Sequence, residues 1–286
     1  MTGRQQHQAE APGPAALPPG IVEVHGIGLR VAVRPGTDPE QPPLVLVNGI
    51  GARLELLDAF VDHIDPRIEV IRFDVPGVGG SPSVPVPYTM WMLAELVRRL
   101  ARQLGHPTYD VLGISWGGGL AQQMAFQQPC SLRRLVLVAT ATGSIMVPGH
   151  PRVLSKMVTP HRYRDAAYAR EVAAQLYGGK MRLMPELAGQ VLGARPGADS
   201  SWGYLSQLLA GCGWSSLPGL PLIRQRTLIL AGDDDPIIPL VNARIMKALI
   251  RRSELHVYAD GHLGLVTSAD DLGPRVSRFL LAPQAS

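Results

Sequence analysis

Tyr109-Asp110-Val111-Leu112-Gly113-Ile114-Ser115-Trp116-Gly117-Gly118-Gly119 is the stretch that decides the fold. Its apolar first half reads as a buried strand, and the residues after Ser115 open a segment of helical period. A strand that turns sharply into a helix forces the residue at the corner into a sparsely allowed backbone conformation. Small residues on both sides let strand and helix approach without side-chain clashes. The Ser115 hydroxyl is therefore expected at the end of a sheet and at a helix N-terminus, the placement of a nucleophile.

On either side of this corner the chain alternates short apolar runs with longer helical ones, the pattern of a mostly parallel sheet covered by helices on both faces. Leu44 to Val47, Ile68 to Phe73 and Leu135 to Ala139 are such runs, as are Thr227 to Ala231 and Leu255 to Tyr258. Ile21 to Val24 and Leu29 to Val33 form an expected leading hairpin. Met90, Leu93, Val97, Leu100 and Leu104 share one face of a helix that stops at Gly105 and Pro107. Residues 21–141 and 221–286 thus make one core. Residues 142–220 break the alternation with helical segments and are expected to form an inserted lid. Residues 1–20, rich in Gln, Ala and Pro, are expected to be a flexible tail.

Composition narrows the function. With 286 residues, 46% of them apolar and 17% charged, the chain is globular and can hold a large core. The first twenty residues lack the apolar core of a signal peptide and no later run has eighteen uninterrupted apolar residues, so a cytoplasmic protein without an integral membrane segment is expected. The net charge of +4 is spread along the chain, which disfavours nucleic acid as a partner. Arg152, Lys156, Arg162, Arg164, Arg170, Lys180 and Arg182 outnumber nearby acids and are read as a solvated basic face. Cys130 and Cys212 have no zinc or redox spacing and are read as buried or idle thiols.

A serine hydroxyl needs a base. Of eight histidines, His262 lies in the loop after the last apolar run, whereas His256 lies within that run and is read as packed. A metal site from His256, Asp260 and His262 has no recognised spacing, and no metal or organic cofactor is expected. The imidazole in turn needs a carboxylate. In Gly232-Asp233-Asp234-Asp235-Pro236-Ile237-Ile238-Pro239 the spacing from Gly232 and to Pro239 selects Asp235, leaving Asp233 and Asp234 to shape the turn. The chain order Ser, Asp, His is that of strand-elbow hydrolases.

Acyl transfer also needs donors for a developing oxyanion, each worth about 3 kcal/mol. The amides of Trp116 and of Ile50, in Asn48-Gly49-Ile50-Gly51, are the candidates. Asn48 is either a hydrogen-bonding element of that loop, beside the substrate, or a plain turn residue next to glycine. Met146, Tyr204, Trp214 and Leu263 are candidates for lining a substrate pocket. Asp74-Val75-Pro76-Gly77-Val78-Gly79-Gly80-Ser81 lacks the lysine of a phosphate loop and is read as scaffold.

NGIGARLELL, FDVPGVGGS, GISWGGGLAQQMA, LVLVATATG with MVPG, LYGG, AGCGWSS, AGDDDPIIPL and DGHLGLVT resemble the intracellular depolymerases of medium-chain-length polyhydroxyalkanoates, within the α/β-hydrolase superfamily. The likeness runs from about Ile21 to Leu280. It implies an α/β-hydrolase fold with an eight-stranded sheet and a helical lid. It also implies hydrolysis of a storage polyester at a granule surface, with Ser115, Asp235 and His262 as nucleophile, acid and base. Gly264, beside His262, stands where a bulkier apolar residue is expected, which would widen the pocket. The competing enzyme readings are a carboxylesterase for small soluble esters and a cofactor-free perhydrolase. Dehalogenase or epoxide hydrolase chemistry would need an aspartate at Ser115. A granule-coating protein with a vestigial site is the non-enzymatic alternative.

Overall fold

In the computed structural model, which describes residues 17–192 and 201–283, the chain starts with a hairpin of β1 (Leu17–Val24) and β2 (Ile27–Arg34). His25 and Gly26 turn it, both at positive φ as a two-residue turn of this hand requires. The strand begins at Leu17, before the expected Ile21, because pairing of Leu17 with Val33 gives this stretch a partner. Pro18 and Pro19 are tolerated since β1 is the sheet's edge strand. The rest of the expected tail, residues 1–16, lies outside the described residues.

Six further strands follow: β3 (Leu44–Val47), β4 (Val70–Phe73), β5 (Tyr109–Ile114), β6 (Leu132–Val138), β7 (Arg226–Gly232) and β8 (Ser253–Tyr258). The sheet order is β1-β2-β4-β3-β5-β6-β7-β8, antiparallel from β1 through β4 and parallel across the rest. The order reverses between β3 and β5, and such a reversal opens a crevice at the carboxyl ends of the strands.

Successive strand residues point to opposite faces, so each buried strand feeds two cores. Val45, Val47, Val111, Leu135 and Leu137 pack with α2 (Met90–Gln103) and α3 (Trp116–Gln127). α9 (Val241–Leu249) covers the same face through Ala243 and Met246. On the other face Leu44, Leu46, Leu112, Ile114, Val136 and Val138 pack with α1 (Asp58–Asp62), α10 (Gly264–Thr267) and α11 (Ala269–Leu281). The Thr89 hydroxyl caps α2 by accepting the Met92 N–H. No helix among the described residues is long and apolar enough to cross a membrane.

Between β6 and β7 the chain runs through α4 (Pro151–Leu154), α5 (His161–Arg164), α6 (Ala166–Tyr177), α7 (Pro185–Leu192) and α8 (Ser201–Gly211). Val153, Ala169, Val172, Leu176 and Met181 of this insertion pack on Ala52, Leu56, Ile237 and Leu263 from loops at the carboxyl end of the sheet. Three indole N–H groups also bridge insertion and core: Trp116 donates to the Gln207 carbonyl, Trp202 to the Val84 carbonyl and Trp214 to the Gln123 side chain.

The expected basic face needs correction at Arg162. Arg152, Arg164, Arg170, Lys180 and Arg182 are exposed, but Arg162 is 1% exposed. Its guanidinium donates to the Tyr204 hydroxyl and the Thr159 carbonyl and lies 4.5 Å from the Tyr163 ring centroid. Aromatic faces thus replace water around this cation. Cys130 and Cys212 are free and, contrary to burial, exposed.

Candidate active site

Ser115 joins β5 to α3 at φ 55° and ψ −120°, a region that a residue with a side chain rarely adopts. The neighbourhood over-determines this strain. The Ser115 N–H donates to the Val138 carbonyl at 2.9 Å, and the Ser115 carbonyl accepts from the Thr140 hydroxyl at 2.7 Å and the Gly118 N–H at 2.9 Å. A Cβ at Gly113 would lie 2.3 Å from the Gly117 carbonyl oxygen, and one at Gly117 would lie 2.2 Å from the Val47 carbonyl oxygen. Only glycine at both positions lets strand, turn and helix close this tightly.

Asp235 follows β7 and His262 follows β8, two neighbouring parallel strands. The loops bring the two side chains together: His262 Nδ1 lies 2.8 Å from Asp235 Oδ2, both groups being buried. Asp235 Oδ1 accepts the N–H groups of Ile237 and Ile238, each at 2.9 Å, so the carboxylate is fixed from its other side as well. The His262 N–H donates to the Tyr177 carbonyl at 2.8 Å, and the Tyr177 ring stacks at 6.5 Å from the imidazole. With Nδ1 engaged, Nε2 is the nitrogen left for proton transfer. Among the described residues no hydrogen bond joins Ser115 Oγ to His262. The structure therefore brings the expected acid and base, Asp235 and His262, together and leaves the serine contact unmade; in hydrolases such contacts commonly tighten only in the substrate complex.

The two neighbouring aspartates do other work. Asp234 leaves the turn to pair with Arg182, at 2.9 Å through both carboxylate oxygens, and accepts the Gly179 N–H at 2.8 Å. The Arg182 guanidinium holds its carboxyl below the usual range. Asp260 anchors the histidine loop, accepting from the Thr267 and Ser268 hydroxyls and from the Lys180 and Gly261 N–H groups. Burial pushes its carboxyl up, but these hydrogen bonds outweigh burial and hold it below the usual value.

The loop after β3 lies against Ser115: a Cβ on Gly49 would sit 3.5 Å from Ser115 Cβ. Among the described residues no hydrogen bond is made by the N–H groups of Ile50 and Trp116, whereas those of Gly51, Ser115 and Gly118 are engaged. The Asn48 side chain donates to the Arg53 carbonyl at 2.8 Å, which braces the loop from within. The Gly51 N–H donates to Gln207 Oε1 at 2.7 Å, and the Ile50 carbonyl accepts the Tyr163 hydroxyl at 2.9 Å.

A cavity of about 120 Å³ adjoins Ser115, walled by Met90, Trp116, Met146, Trp214 and Ile238 among others. Met146 and Trp214 thus share a wall with the serine. Tyr204, Leu263 and Asn48 are not in that wall: Leu263 packs with Ala52 and Leu56, and Tyr204 lies over Gly51. The expectation that Gly264 widens the pocket is overturned. A Cβ there would lie 2.3 Å from the Tyr258 ring, so the glycine makes room for that ring and frees no space for substrate. In the scaffold turn, Asp74 accepts from the Leu54 and Gly80 N–H groups, tying the loops after β3 and β4 together.

Tyr163, Gly179, Gln207 and Asp260 are missed when the sequence is read alone. The paired glycines of LYGG are the one local signal. Gly178 and Gly179 both take positive φ, and a Cβ at Gly179 would lie 2.0 Å from the Gly261 nitrogen.

A model of the alpha/beta hydrolase fold matches residues 42–269. The chain is 46% identical over 259 residues to the poly(3-hydroxyalkanoate) depolymerase of Ectopseudomonas oleovorans, covering 91% of each protein. Among solved structures it resembles a hydrolase from Pseudomonas aeruginosa, with a TM-score of 0.77, 24% identity, and coverage of 92% of this chain and 98% of the other. It also resembles the enol-lactonase from Burkholderia xenovorans, with a TM-score of 0.77, 22% identity, and coverage of 92% and 100%. At these identities the two solved structures speak to the fold.

Proposed function

The chain belongs to the alpha/beta hydrolase fold family, alongside the poly(3-hydroxyalkanoate) depolymerase it matches over nine-tenths of its length, and from that premise we propose that it hydrolyses ester bonds of an aliphatic poly(3-hydroxyalkanoate) of medium chain length. The observation that carries the chemistry is a strained serine at the carboxyl end of β5 together with a buried His262–Asp235 pair at 2.8 Å in the loops after β7 and β8. Identity to the depolymerase directs the choice of substrate.

Ser115 Oγ attacks the ester carbonyl carbon while His262 Nε2 takes its proton. Asp235 holds the imidazole and stabilises its cation. The N–H groups of Ile50 and Trp116 receive the oxyanion. Collapse of this intermediate expels the hydroxyl end of the next monomer, which takes the proton from His262. Water then repeats the sequence on the acyl-serine and releases a 3-hydroxy acid or short oligomer.

The cavity beside Ser115 is smaller than the ~300–1,000 Å³ usual for ligand pockets. With its packing over the loops at the carboxyl end of the sheet, the insertion is read as a lid that shifts to admit a polyester segment. Trp202, Leu205 and Leu209, at helical spacing on α8, are exposed and supply an apolar stripe for the polymer surface. The site of action is the storage granule in the cytoplasm.

A latex of medium-chain polyester tests this. The wild-type chain should clear it and release hydroxy acids, and Ser115→Ala should lower turnover by about a millionfold, to background. A chain that turns over 4-nitrophenyl esters but leaves the latex turbid is a small-ester carboxylesterase. Unchanged turnover in Ser115→Ala would remove the mechanism altogether.

A further inference from the structure

We propose that Gln207, on α8 of the insertion, is a positioning residue for both oxyanion donors; the inference rests on the serine-hydrolase reading above. The peptide between Ile50 and Gly51 is gripped at both ends. Its N–H donates to Gln207 Oε1 at 2.7 Å, and its carbonyl accepts the Tyr163 hydroxyl at 2.9 Å. A peptide is planar, so fixing its two polar ends fixes the rotation about the Ile50 Cα–C bond. The neighbouring Ile50 N–H, which would receive the oxyanion, then has little freedom to swing away.

The same residue also holds the side chain of the residue that carries the second donor. The Gln207 main-chain carbonyl accepts the Trp116 indole N–H at 2.9 Å, which ties the side chain of the residue after the nucleophile to α8. Gln207 is 1% exposed, so water cannot readily replace its amide, and removing it leaves the buried Gly51 N–H unpaired. Gly51 itself has φ +71°, and a Cβ there would lie 2.7 Å from the Tyr163 ring and 2.8 Å from the Tyr204 ring. Glycine lets the rings of the insertion rest directly on the loop. The donors are thus in place only while the insertion is seated, and Gln207 is the residue in contact with both sides of the hole.

Three variants test this: Gln207→Met, which keeps the length but lacks the acceptor, Tyr163→Phe, which lacks the hydroxyl at the other end of the same peptide, and the double variant. Each is assayed on 4-nitrophenyl octanoate and against a trifluoromethyl ketone, whose serine adduct places an oxyanion on the two donors. In Gln207→Met, kcat should fall on the order of ten- to a hundredfold, because small misplacements at a reacting centre cost this much. KM should stay within about threefold, and affinity for the ketone should fall by a factor similar to kcat. Tyr163→Phe should fall in the same direction by less, and the double variant should lose little beyond Gln207→Met, since both singles free one peptide. The proposal is overturned if folded Gln207→Met keeps kcat and ketone affinity within about twofold of wild type. If Gln207→Met does not fold, unchanged kcat and ketone affinity in Tyr163→Phe overturn it equally. Failure of the underlying reading is separate: it would appear as Ser115→Ala retaining turnover in the same assay.

Discussion

On the acid–base flank of Ser115 the insertion holds the core through its main chain as well as through the Lys180 and Arg182 side chains, whereas on the oxyanion flank the Ile50–Gly51 peptide is held by side chains alone. The Tyr177 carbonyl takes the His262 N–H, the Gly179 N–H reaches Asp234, and the Lys180 N–H reaches Asp260. Opposite them, the Tyr163 hydroxyl and the Gln207 amide hold the Ile50–Gly51 peptide. Every residue except proline carries a backbone N–H and carbonyl, so the first kind of grip survives most substitutions. It fails only where the close approach itself demands glycine. The second kind goes with a single side chain.

This contrast can be broken at its centre, at a glycine or at the periphery. Asp235→Asn should have the largest effect, lowering kcat about ten-thousandfold, because an amide cannot hold the imidazole in the required tautomer or stabilise its cation. Steady-state hydrolysis of a soluble ester measures it. Gly179→Ala comes next. Its new Cβ would lie 2.0 Å from the Gly261 nitrogen and 2.2 Å from Asp260 Oδ1, at a backbone φ of +46°. Urea denaturation should show a loss of about 1–3 kcal/mol, accompanied by a fall in kcat as the histidine loop is pushed aside. Arg182→Ala should have the smallest effect, since its pairing with Asp234 is exposed. Stability should change by no more than about 1 kcal/mol and kcat by less than about twofold. A larger loss would mean that the charged pair, and not the main chain, keeps this flank in place.

What was legible in the sequence follows from the range of the contacts involved. The buried strands, the β5–α3 corner and the spacing that singles out Asp235 are local patterns, each confined to about ten residues, and each leaves its mark in apolar runs and glycines. The pairing of Asp235 with His262 was within reach because consecutive parallel strands lie side by side. Gln207 was not: it meets Gly51 across 156 positions, and nothing around either residue announces the other. Arg162 misled for a related reason. In a run of basic residues it looks like its neighbours, and only the arrival of Tyr163 and Tyr204 makes a buried cation tolerable. Gly264 misled through a ring six positions earlier, Tyr258, that occupies the space a missing side chain suggested.

The three bridging indoles give the molecule an optical property. Of its four tryptophans, Trp116, Trp202 and Trp214 each spend their N–H on a partner across the seam between insertion and sheet. An indole that exchanges such a partner for solvent emits at longer wavelength, so opening of this seam carries its own fluorescent signature with no dye attached. The lifting of the insertion proposed above would therefore be followed in real time, in the unmodified chain, as ester is added.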